Sequence, residues 1–329
     1  MTDTLEVQLE TLMRGDFDKA KAMCYRLMEA QPWCNRTAFN GGWFKLSEGK
    51  VQEGYQLLDR GREETVWGDP HCGSVTPIWR GHPDKTVLLR LERGLGDQLH
   101  QVRYARGLKE RGCTVIVSCS TELAYVVRHA EGVDVVVQHE AARGVLHDYH
   151  LPAMSAPIAL GLEQDDLRGD QYISRPPVDS VPGRIGLCWQ GNPAYEHATK
   201  RKFPPELLFN VMKGRGDCVS LQRDEGSEVC PDWVEKVNLN AWTDTARAMA
   251  SCSLIVTSCT SVAHLSGAMG IPTIILVPIV PYYLWSSPGP ETVTPYYDSV
   301  TLLRQTDPDD WLEPFQQLAG ILQVRREAA

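Results

Sequence analysis

The sequence lacks the C-x-x-C spacing of zinc ribbons and dithiol redox sites, although it contains ten cysteines. Because no other pattern of Cys and His ligands has metal-binding spacing, the sequence argues against a zinc site. His147 and His150 flank an Asp-Tyr pair, but their surroundings are typical of a strand end rather than of a metal-binding helix face. Several cysteines lie in apolar stretches, as free thiols do in a reducing compartment. We therefore expect no bound metal.

Long hydrophobic runs are also missing. The longest apolar run, residues 271–280, includes two prolines and is about half the roughly 20 residues that a membrane-spanning helix needs. The first residues are acidic and polar and do not resemble a secretory signal. Excess positive charge is lacking as well, since the net charge is −9, which argues against a long nucleic-acid footprint. These features predict a cytoplasmic protein without a membrane span.

An internal repeat is present near the N-terminus. Gly15 and Gly49 lie 34 residues apart, which is the tetratricopeptide period, and each separates two amphipathic segments. Ala20 and Gly54 follow at the same offset and would let paired helices pack closely. Residues 1–65 are therefore predicted to form a small all-α, tetratricopeptide-like unit; a generic pair of helical hairpins makes the same structural prediction. About two repeats are too few to stand alone, so we expect the unit to pack on the next domain.

Strands and helices alternate from residue 86 onward, which predicts an α/β protein with parallel sheets. At 329 residues the chain is long enough for two or more domains. A Pro- and Gly-rich break at 175–183 divides the series into two halves, so the predicted domains are 66–178 and 179–329. The predicted strands are 86–91, 114–118, 133–137, 146–150, 185–189, 218–221, 236–238, 254–257 and 273–276. The predicted helices are 97–111, 122–129, 205–212, 243–250, 261–269 and 309–325.

The first candidate site is the turn after the strand at 86–91. It is Gly94-Leu-Gly-Asp97, and a helix is predicted to begin at the aspartate. The dinucleotide fingerprint is incomplete, because Leu99 stands where its third glycine belongs. The glycines let another molecule approach the backbone, and Asp97 lies at the carboxyl end of a strand, where ligands of open α/β sheets bind. Asp97 could equally be only a helix N-cap.

The most informative stretch is residues 254–270. An apolar strand leads into five small or hydroxylated residues at 257–261, and a helix follows with His264 in its first turn. The first N–H groups of a helix lack internal partners and carry the positive end of its dipole. The turn at Thr260 and Ser261 therefore suits a phosphate or diphosphate. The alternative is an ordinary N-cap on a buried helix, with His264 in the core.

A third turn follows the strand at 185–189. It contains Trp189, Gly191 and Asn192, and three consecutive cations follow at 200–202. This basic run precedes a predicted helix start and could hold a diphosphate. It could also be a solvated surface run, which is the usual role of charge clusters.

Taken together and in order, these segments resemble glycosyltransferase family 9, the heptosyltransferase-like enzymes, and in particular relatives fused to tetratricopeptide repeats. Two positions depart from that pattern: Cys259 stands where relatives usually have Asp, and the loop at 200–202 lacks their Arg-Ser pair. The resemblance covers nearly the whole chain. The matching segments are 79–81, 94–97, 103–104, 148–152, 186–193, 220–222, 244–246, 260–264 and 303–305, followed by Trp311.

The resemblance implies a GT-B fold, a pair of doubly wound Rossmann-like domains. The acceptor would bind the first domain and the nucleotide sugar the second, with the last helix crossing back over the first. It also implies inverting, metal-independent transfer of a hexosyl, heptosyl or pentosyl group from a nucleoside-diphosphate sugar, with no further cofactor. Asp97 falls on the family's catalytic aspartate and would be the general base. The expected donor-binding residues are Gly94, Gly96, Trp189, Gly191, Asn192, Lys200, Lys202, Gln222, Thr260, Ser261 and His264.

Other interpretations stay open at this point. The chain could be a GT-B sugar-nucleotide epimerase, or a non-catalytic scaffold whose repeats bind a protein while the sugar site is vestigial. The acceptor could be a saccharide, a protein side chain, a small metabolite or a modified DNA base. Residues 1–65 are expected on the acceptor side, where they would recognise the acceptor, bind another protein or form a homodimer.

Overall fold

A computed structural model describes residues 3–63, 74–191, 201–223, 226–286, 288, 291–308 and 310–327. Two of the expected site residues, Asn192 and Lys200, lie outside these ranges. Within the described part of the chain, none of the helices combines the length and the apolar composition that a bilayer span requires.

The N-terminal region is all-helical, as predicted. Gly15 and Gly49 have φ angles of +84° and +76°, and each ends the first helix of a pair in the left-handed region that glycine adopts most easily. A Cβ on Gly54 would lie 2.7 Å from Leu46 Cγ, so this glycine permits the close helix contact that its position in the repeat predicts. The tetratricopeptide assignment itself stays a prediction. The helices are α1 (Leu5–Met13), α2 (Phe17–Ala30), α3 (Asn35–Ser47) and α4 (Val51–Asp59), followed by a 3-10 turn at Arg60–Arg62.

The first sheet is parallel, with its strands in the order β3-β2-β1-β4. The single helix predicted at 97–111 begins two residues earlier, at Leu95, and is interrupted at residues 102–103. Asp97 is therefore the third residue of its helix rather than the N-cap. In chain order the elements are β1 (Thr86–Arg90), α5 (Leu95–Gln101), α6 (Tyr104–Lys109), β2 (Thr114–Cys119), α7 (Ala124–Val127), β3 (Val135–Gln138), β4 (Tyr149–Pro152) and α8 (Ala156–Leu160).

The second sheet is also parallel, and its order β10-β9-β8-β5-β6-β7 reverses direction between β5 and β8. Ligands of doubly wound sheets bind at the carboxyl ends of the strands beside such a switch point. The elements are β5 (Arg184–Cys188), α9 (Pro205–Met212), β6 (Asp217–Ser220), β7 (Glu235–Lys236), α10 (Trp242–Ala250), β8 (Leu254–Ser258), α11 (Ser261–Ala268), β9 (Thr273–Val277), β10 (Val300–Arg304) and α12 (Leu312–Glu327).

The last helix packs on the second sheet. Its buried residues Phe315, Leu318 and Leu322 belong to one core with Phe203 and Leu208, and α12 lies against α9 and β10. The expected crossing to the first domain is therefore wrong for the buried face of this helix. The physical reason is that this apolar face covers the second sheet, which would otherwise expose Leu276 and Leu303.

The helical region is joined to the rest by a continuous apolar core. Tyr55 and Leu58 of α4 share that core with buried residues of both sheets. The side chain of Gln52 donates to the carbonyl oxygens of Pro157 and Leu162, at 2.9 and 2.8 Å, on the first α/β domain. The prediction that this region packs on the first domain is confirmed, and contacts with the second domain add to it.

Candidate active site

The turn after β1 and the turn after β8 meet at the centre of the molecule. Helix α5 packs against α11, so the starts of two helices from different domains lie side by side. A Cβ on Gly96 would be 3.4 Å from Ser261 Cα and 2.8 Å from Cδ2 of His264. Only glycine leaves room for this approach, which explains why the turn needs a glycine at position 96.

Asp97 is the carboxylate at this meeting point. One carboxylate oxygen, Oδ2, accepts from the backbone N–H of Gly94 at 3.0 Å, and the other, Oδ1, accepts from the hydroxyl of Tyr282. Burial raises the pKa of Asp97 above its ordinary value, while the hydrogen bonds from Tyr282 and Gly94 and the charge of Arg93 oppose that rise. As a residue, Asp97 is half-buried. Asp97 is thus a carboxylate held by two hydrogen bonds, with a pKa that burial raises.

Arg93 is a residue that the sequence analysis missed. Its φ of +67° places a bulky side chain in the left-handed region, a conformation that costs about 1–3 kcal/mol and is concentrated at functional sites. Gln98 stabilises this turn, because its side-chain amide donates to the carbonyl oxygen of Arg93 at 3.0 Å. An arginine directly before Gly94 was the available signal.

His264 lies in an aromatic cluster. Its Nδ1 is 2.9 Å from the hydroxyl of Tyr297, and its ring stacks on Trp285 with a centroid distance of 5.0 Å. Burial, followed by the charges of Arg103 and Arg201, lowers the pKa of His264 to about 3. The imidazole is therefore neutral near pH 7, and this geometry agrees with the core-histidine alternative rather than with a cationic phosphate ligand.

Residues of two connections, β5 to α9 and β8 to α11, meet beside the start of α11. A Cβ on Gly191 would lie 3.1 Å from Nη2 of Arg201 and 3.1 Å from Cγ2 of Thr260. The guanidinium of Arg201 also donates to the carbonyl oxygen of Cys259 at 3.2 Å. Ser261, the first residue of α11, is partly exposed. Of the two described cations in the run at 200–202, Arg201 is thus the residue at the turn, whereas Lys202 is exposed.

Asp97 and Arg201 lie at the same site. Burial is the main cause of the raised pKa of the Cys259 thiol. The positive charge of Arg201 lowers this pKa, and the negative charge of Asp97 raises it. Both charged groups therefore act on one buried thiol, which also accepts from Nε1 of Trp285 at 3.0 Å. The arrangement places a carboxylate and a guanidinium around the start of α11.

Trp189 and Gln222 support the site from beneath. The side chain of Trp189 is fully buried, and its indole N–H donates to the carbonyl oxygen of Gly226 at 3.0 Å. The expectation that Trp189 touches the donor is therefore wrong for its side chain. The amide oxygen of Gln222 accepts from the backbone N–H groups of Trp189 and Gln190, at 3.1 and 2.9 Å, so this side chain fixes the turn after β5.

A polar cavity of about 410 Å³ opens at the carboxyl ends of β6 and β7. Gln222 is the only residue of its lining that was predicted from the sequence to bind the donor. The cavity lies at β6 and β7, next to β5 but on the side away from the switch point between β5 and β8. Its polar lining includes Ser220, Gln222, Arg223, Lys236, Asn238 and Asn240.

Across the residues that the structure describes, no group of three or more His, Cys, Asp or Glu side chains is placed to hold a metal ion. The two histidines noted in the sequence have separate neighbours. His147 Nε2 is 3.3 Å from the hydroxyl of Ser74, and His150 Nδ1 is 3.3 Å from the hydroxyl of Thr76.

No protein-family model matches the sequence, and no curated protein matches it in sequence. Solved structures do resemble the fold. The ADP-heptose LPS heptosyltransferase II of E. coli is 14% identical with a TM-score of 0.52, and the alignment covers 73% of this chain and 99% of that one. The E. coli heptosyltransferase WaaC, solved with ADP-2-deoxy-2-fluoro heptose, is 13% identical with a TM-score of 0.50, covering 74% and 100%. The likeness shows an α/β fold of the two-domain, GT-B-like kind.

Proposed function

We propose that this chain is an inverting glycosyltransferase that moves a sugar from a nucleoside-diphosphate sugar to a hydroxyl group of an acceptor. The observation that carries the proposal is the place of Asp97, beside the start of α11 where the strand ends of two Rossmann-like sheets meet. One group can accept a proton there, and the adjoining helix start can receive a diphosphate.

The proposed chemistry is a single displacement. The acceptor oxygen bonds to the anomeric carbon as its proton passes to Asp97, and the bond from that carbon to the diphosphate oxygen breaks. The nucleoside diphosphate leaves with the electron pair, and one displacement inverts the anomeric centre. The raised pKa of Asp97 suits this role, because a base works best when its pKa approaches the working pH.

The leaving diphosphate needs positive potential. The first N–H groups of α11, at Ser261 and Val262, and the positive end of the helix dipole would supply it together with Arg201. The nucleoside would occupy the cavity between β6 and β7. We propose that no metal ion takes part, because the helix start and the guanidinium supply the required positive potential.

ADP-sugars are the first donors to test, because the two similar enzymes are described with ADP-heptose and with an ADP-heptose analogue. We would measure the melting temperature of the full chain with ADP, UDP, GDP and ADP-heptose, and then the release of ADP from ADP-heptose. A nucleotide that binds only the folded protein raises the melting temperature by mass action.

The outcomes separate the three interpretations. Release of ADP that falls with Asp97→Asn, while ADP still binds, supports a transferase. Conversion of ADP-heptose to an isomer without release of ADP would favour an epimerase. Absence of both binding and turnover with every nucleotide and nucleotide sugar tested would contradict the proposal and favour the scaffold.

A further inference from the structure

The segment formed by residues 279–286 and Pro288 lies against the N-terminal helical region. A Cβ on Gly15 would lie 3.0 Å from Cγ1 of Ile279, and one on Gly49 would lie 3.0 Å from Cγ of Pro288. Between these two ends, the ring of Trp43 in α3 packs edge-to-face on Tyr282, with a centroid distance of 5.5 Å and an interplanar angle of 88°. The helical region therefore contacts both ends and the middle of this segment.

Tyr282 connects that contact to the candidate base. Its hydroxyl donates to Oδ1 of Asp97, while its ring lies between Trp43 and the ring of His264, whose centroid is 6.4 Å away. Tyr282 thus has its ring against the N-terminal helices and its hydroxyl on a carboxylate of the first α/β domain.

A second contact leads from the helical region to the same turn. Arg62, at the end of that region, forms a buried ion pair with Glu92, two residues before Gly94. Oε2 of Glu92 also accepts from the backbone N–H of Met154 at 3.0 Å. The N-terminal helices are therefore connected to the turn that contains Asp97 by two contacts, one through Tyr282 and one through Glu92.

We propose that Tyr282 is the positioning residue of Asp97 and that Trp43 of the helical region holds Tyr282 in place. This inference rests on the proposed function only in treating Asp97 as the catalytic base. The contacts between Trp43, Tyr282 and Asp97 do not depend on that role. The helical region would then set the orientation and the protonation of the base, in addition to any part in recognising an acceptor.

The physical basis is the hydrogen bond to the charged form. A hydroxyl that donates to a carboxylate stabilises its ionised state and lowers its pKa. Among the described residues, the charge of Arg93 lowers the pKa of Asp97, and Asp97 in turn raises the pKa of Tyr283 and Cys259. His264, whose ring lies against Tyr282, is a further titratable group beside the site. Burial raises the pKa of Tyr283 and Cys259, so both are neutral where a carboxylate titrates.

The test is a titration of the full chain labelled with 13Cγ-aspartate, followed by NMR, in which Asp97→Asn identifies the resonance. Tyr282→Phe should raise the pKa of Asp97 by about one unit. Trp43→Leu should raise it in the same direction by less. Because both changes act through one hydrogen bond, the double variant should match Tyr282→Phe alone.

Tyr283→Phe is the matched control. Its hydroxyl faces Sδ of Met154 at 3.6 Å rather than Asp97, so the pKa of Asp97 should stay unchanged. An unchanged pKa in Tyr282→Phe would overturn the role of Tyr282. Additive shifts in the double variant, or no shift in Trp43→Leu, would overturn the role of Trp43. If Trp43→Leu does not fold, Trp43→Phe replaces it, because its smaller ring should weaken the same contact.

The two proposals fail separately. If Asp97→Asn still releases ADP from ADP-heptose at the full rate, Asp97 is not the base, yet the NMR titration still decides whether Tyr282 acts on it. If Asp97→Asn is inactive and Tyr282→Phe leaves the pKa unchanged, the base stands and the positioning role falls.

Discussion

The turn after β1 and the turn after β8 share the same strand-turn-helix arrangement but contain different kinds of side chain. Each follows a parallel strand, leads into a helix and faces the other turn. The first contains Arg93 in a left-handed conformation and a carboxylate, Asp97, whose pKa burial raises. The second contains small hydroxylated residues and a buried neutral imidazole, His264.

Under the proposed function, these two strand-turn-helix units would serve different needs. A proton acceptor requires a side chain that reaches out of the turn, and Asp97 is held there by Gly94 and Tyr282. A diphosphate requires backbone N–H groups that stay free, so short side chains at Thr260 and Ser261 suit that turn. The hydroxyl of Thr260 lies 3.3 Å from that of Thr257.

The largest expected effect is at the first turn. Asp97→Asn should lower transfer or donor hydrolysis by about 10²–10⁴-fold, because it removes the base and keeps the shape of the side chain. The amide oxygen can still accept from Gly94, so the melting temperature should stay within a few degrees. We would measure turnover of ADP-heptose and the affinity for ADP together. Near-normal turnover would mean that Asp97 is only a helix-capping residue. The turn after β1 would then have no catalytic role that distinguishes it from the turn after β8.

Breaking the ion pair behind the first turn should affect stability. Arg62→Met leaves Glu92 buried without its cation and should lower the free energy of unfolding by about 3–5 kcal/mol. Urea unfolding measures this loss. The double variant Arg62→Met/Glu92→Gln removes the unpaired charge and should recover part of it. A loss below about 1 kcal/mol in the single variant would show that the pair behaves as an exposed one.

The second turn should make the protein sensitive to acid. The pKa of His264 falls from 6.5 to about 3 on folding, so between these values the unfolded chain binds more protons than the folded one. Stability therefore rises with pH through this window and is lost as the pH falls toward 3, by up to about 1.4 kcal/mol per pH unit for this group. His264→Phe should flatten the dependence of urea unfolding on pH. An unchanged slope would mean that His264 does not titrate in this window.

The smallest expected effect separates two neighbouring cations. Arg201→Gln should raise the dissociation constant for ADP about tenfold, since a charge-assisted contact with phosphate is worth roughly 1.5–3 kcal/mol. Lys202→Gln is the matched control and should change it by less than about twofold, because Lys202 is exposed. Both dissociation constants would be measured by calorimetry. Equal effects of the two substitutions would mean that Arg201 does not contact the diphosphate specifically and acts only as part of a basic surface, or that the donor binds elsewhere.

Much of the fold follows from local pattern. The predicted limits of β8 differ from the observed ones by one residue, and those of α9 agree with them. The spacing of Gly15 and Gly49 correctly located the breaks between the paired N-terminal helices. β10 was not predicted, although its sequence Val-Thr-Leu-Leu-Arg resembles the Thr-Val-Leu-Leu-Arg of β1. Such patterns succeed because alternation and helix starts depend on residues near in sequence.

The sequence by itself determined the alternating α/β order, the helical N-terminus and the position of Asp97 in the strand-to-helix segment that follows β1. Only the tertiary structure decided that Tyr282 donates to Asp97 across 185 positions, that Arg201 rather than Lys202 faces the turn, and that Trp189 is a core residue. Composition shows which side chains are present, whereas the direction of each one is set by packing against distant elements. Two similar strand-to-helix connections therefore differ in outcome: the one after β5 buries the side chain of Trp189, and the one after β1 directs the carboxylate of Asp97 toward Tyr282. The elements that pack against each connection decide between these outcomes.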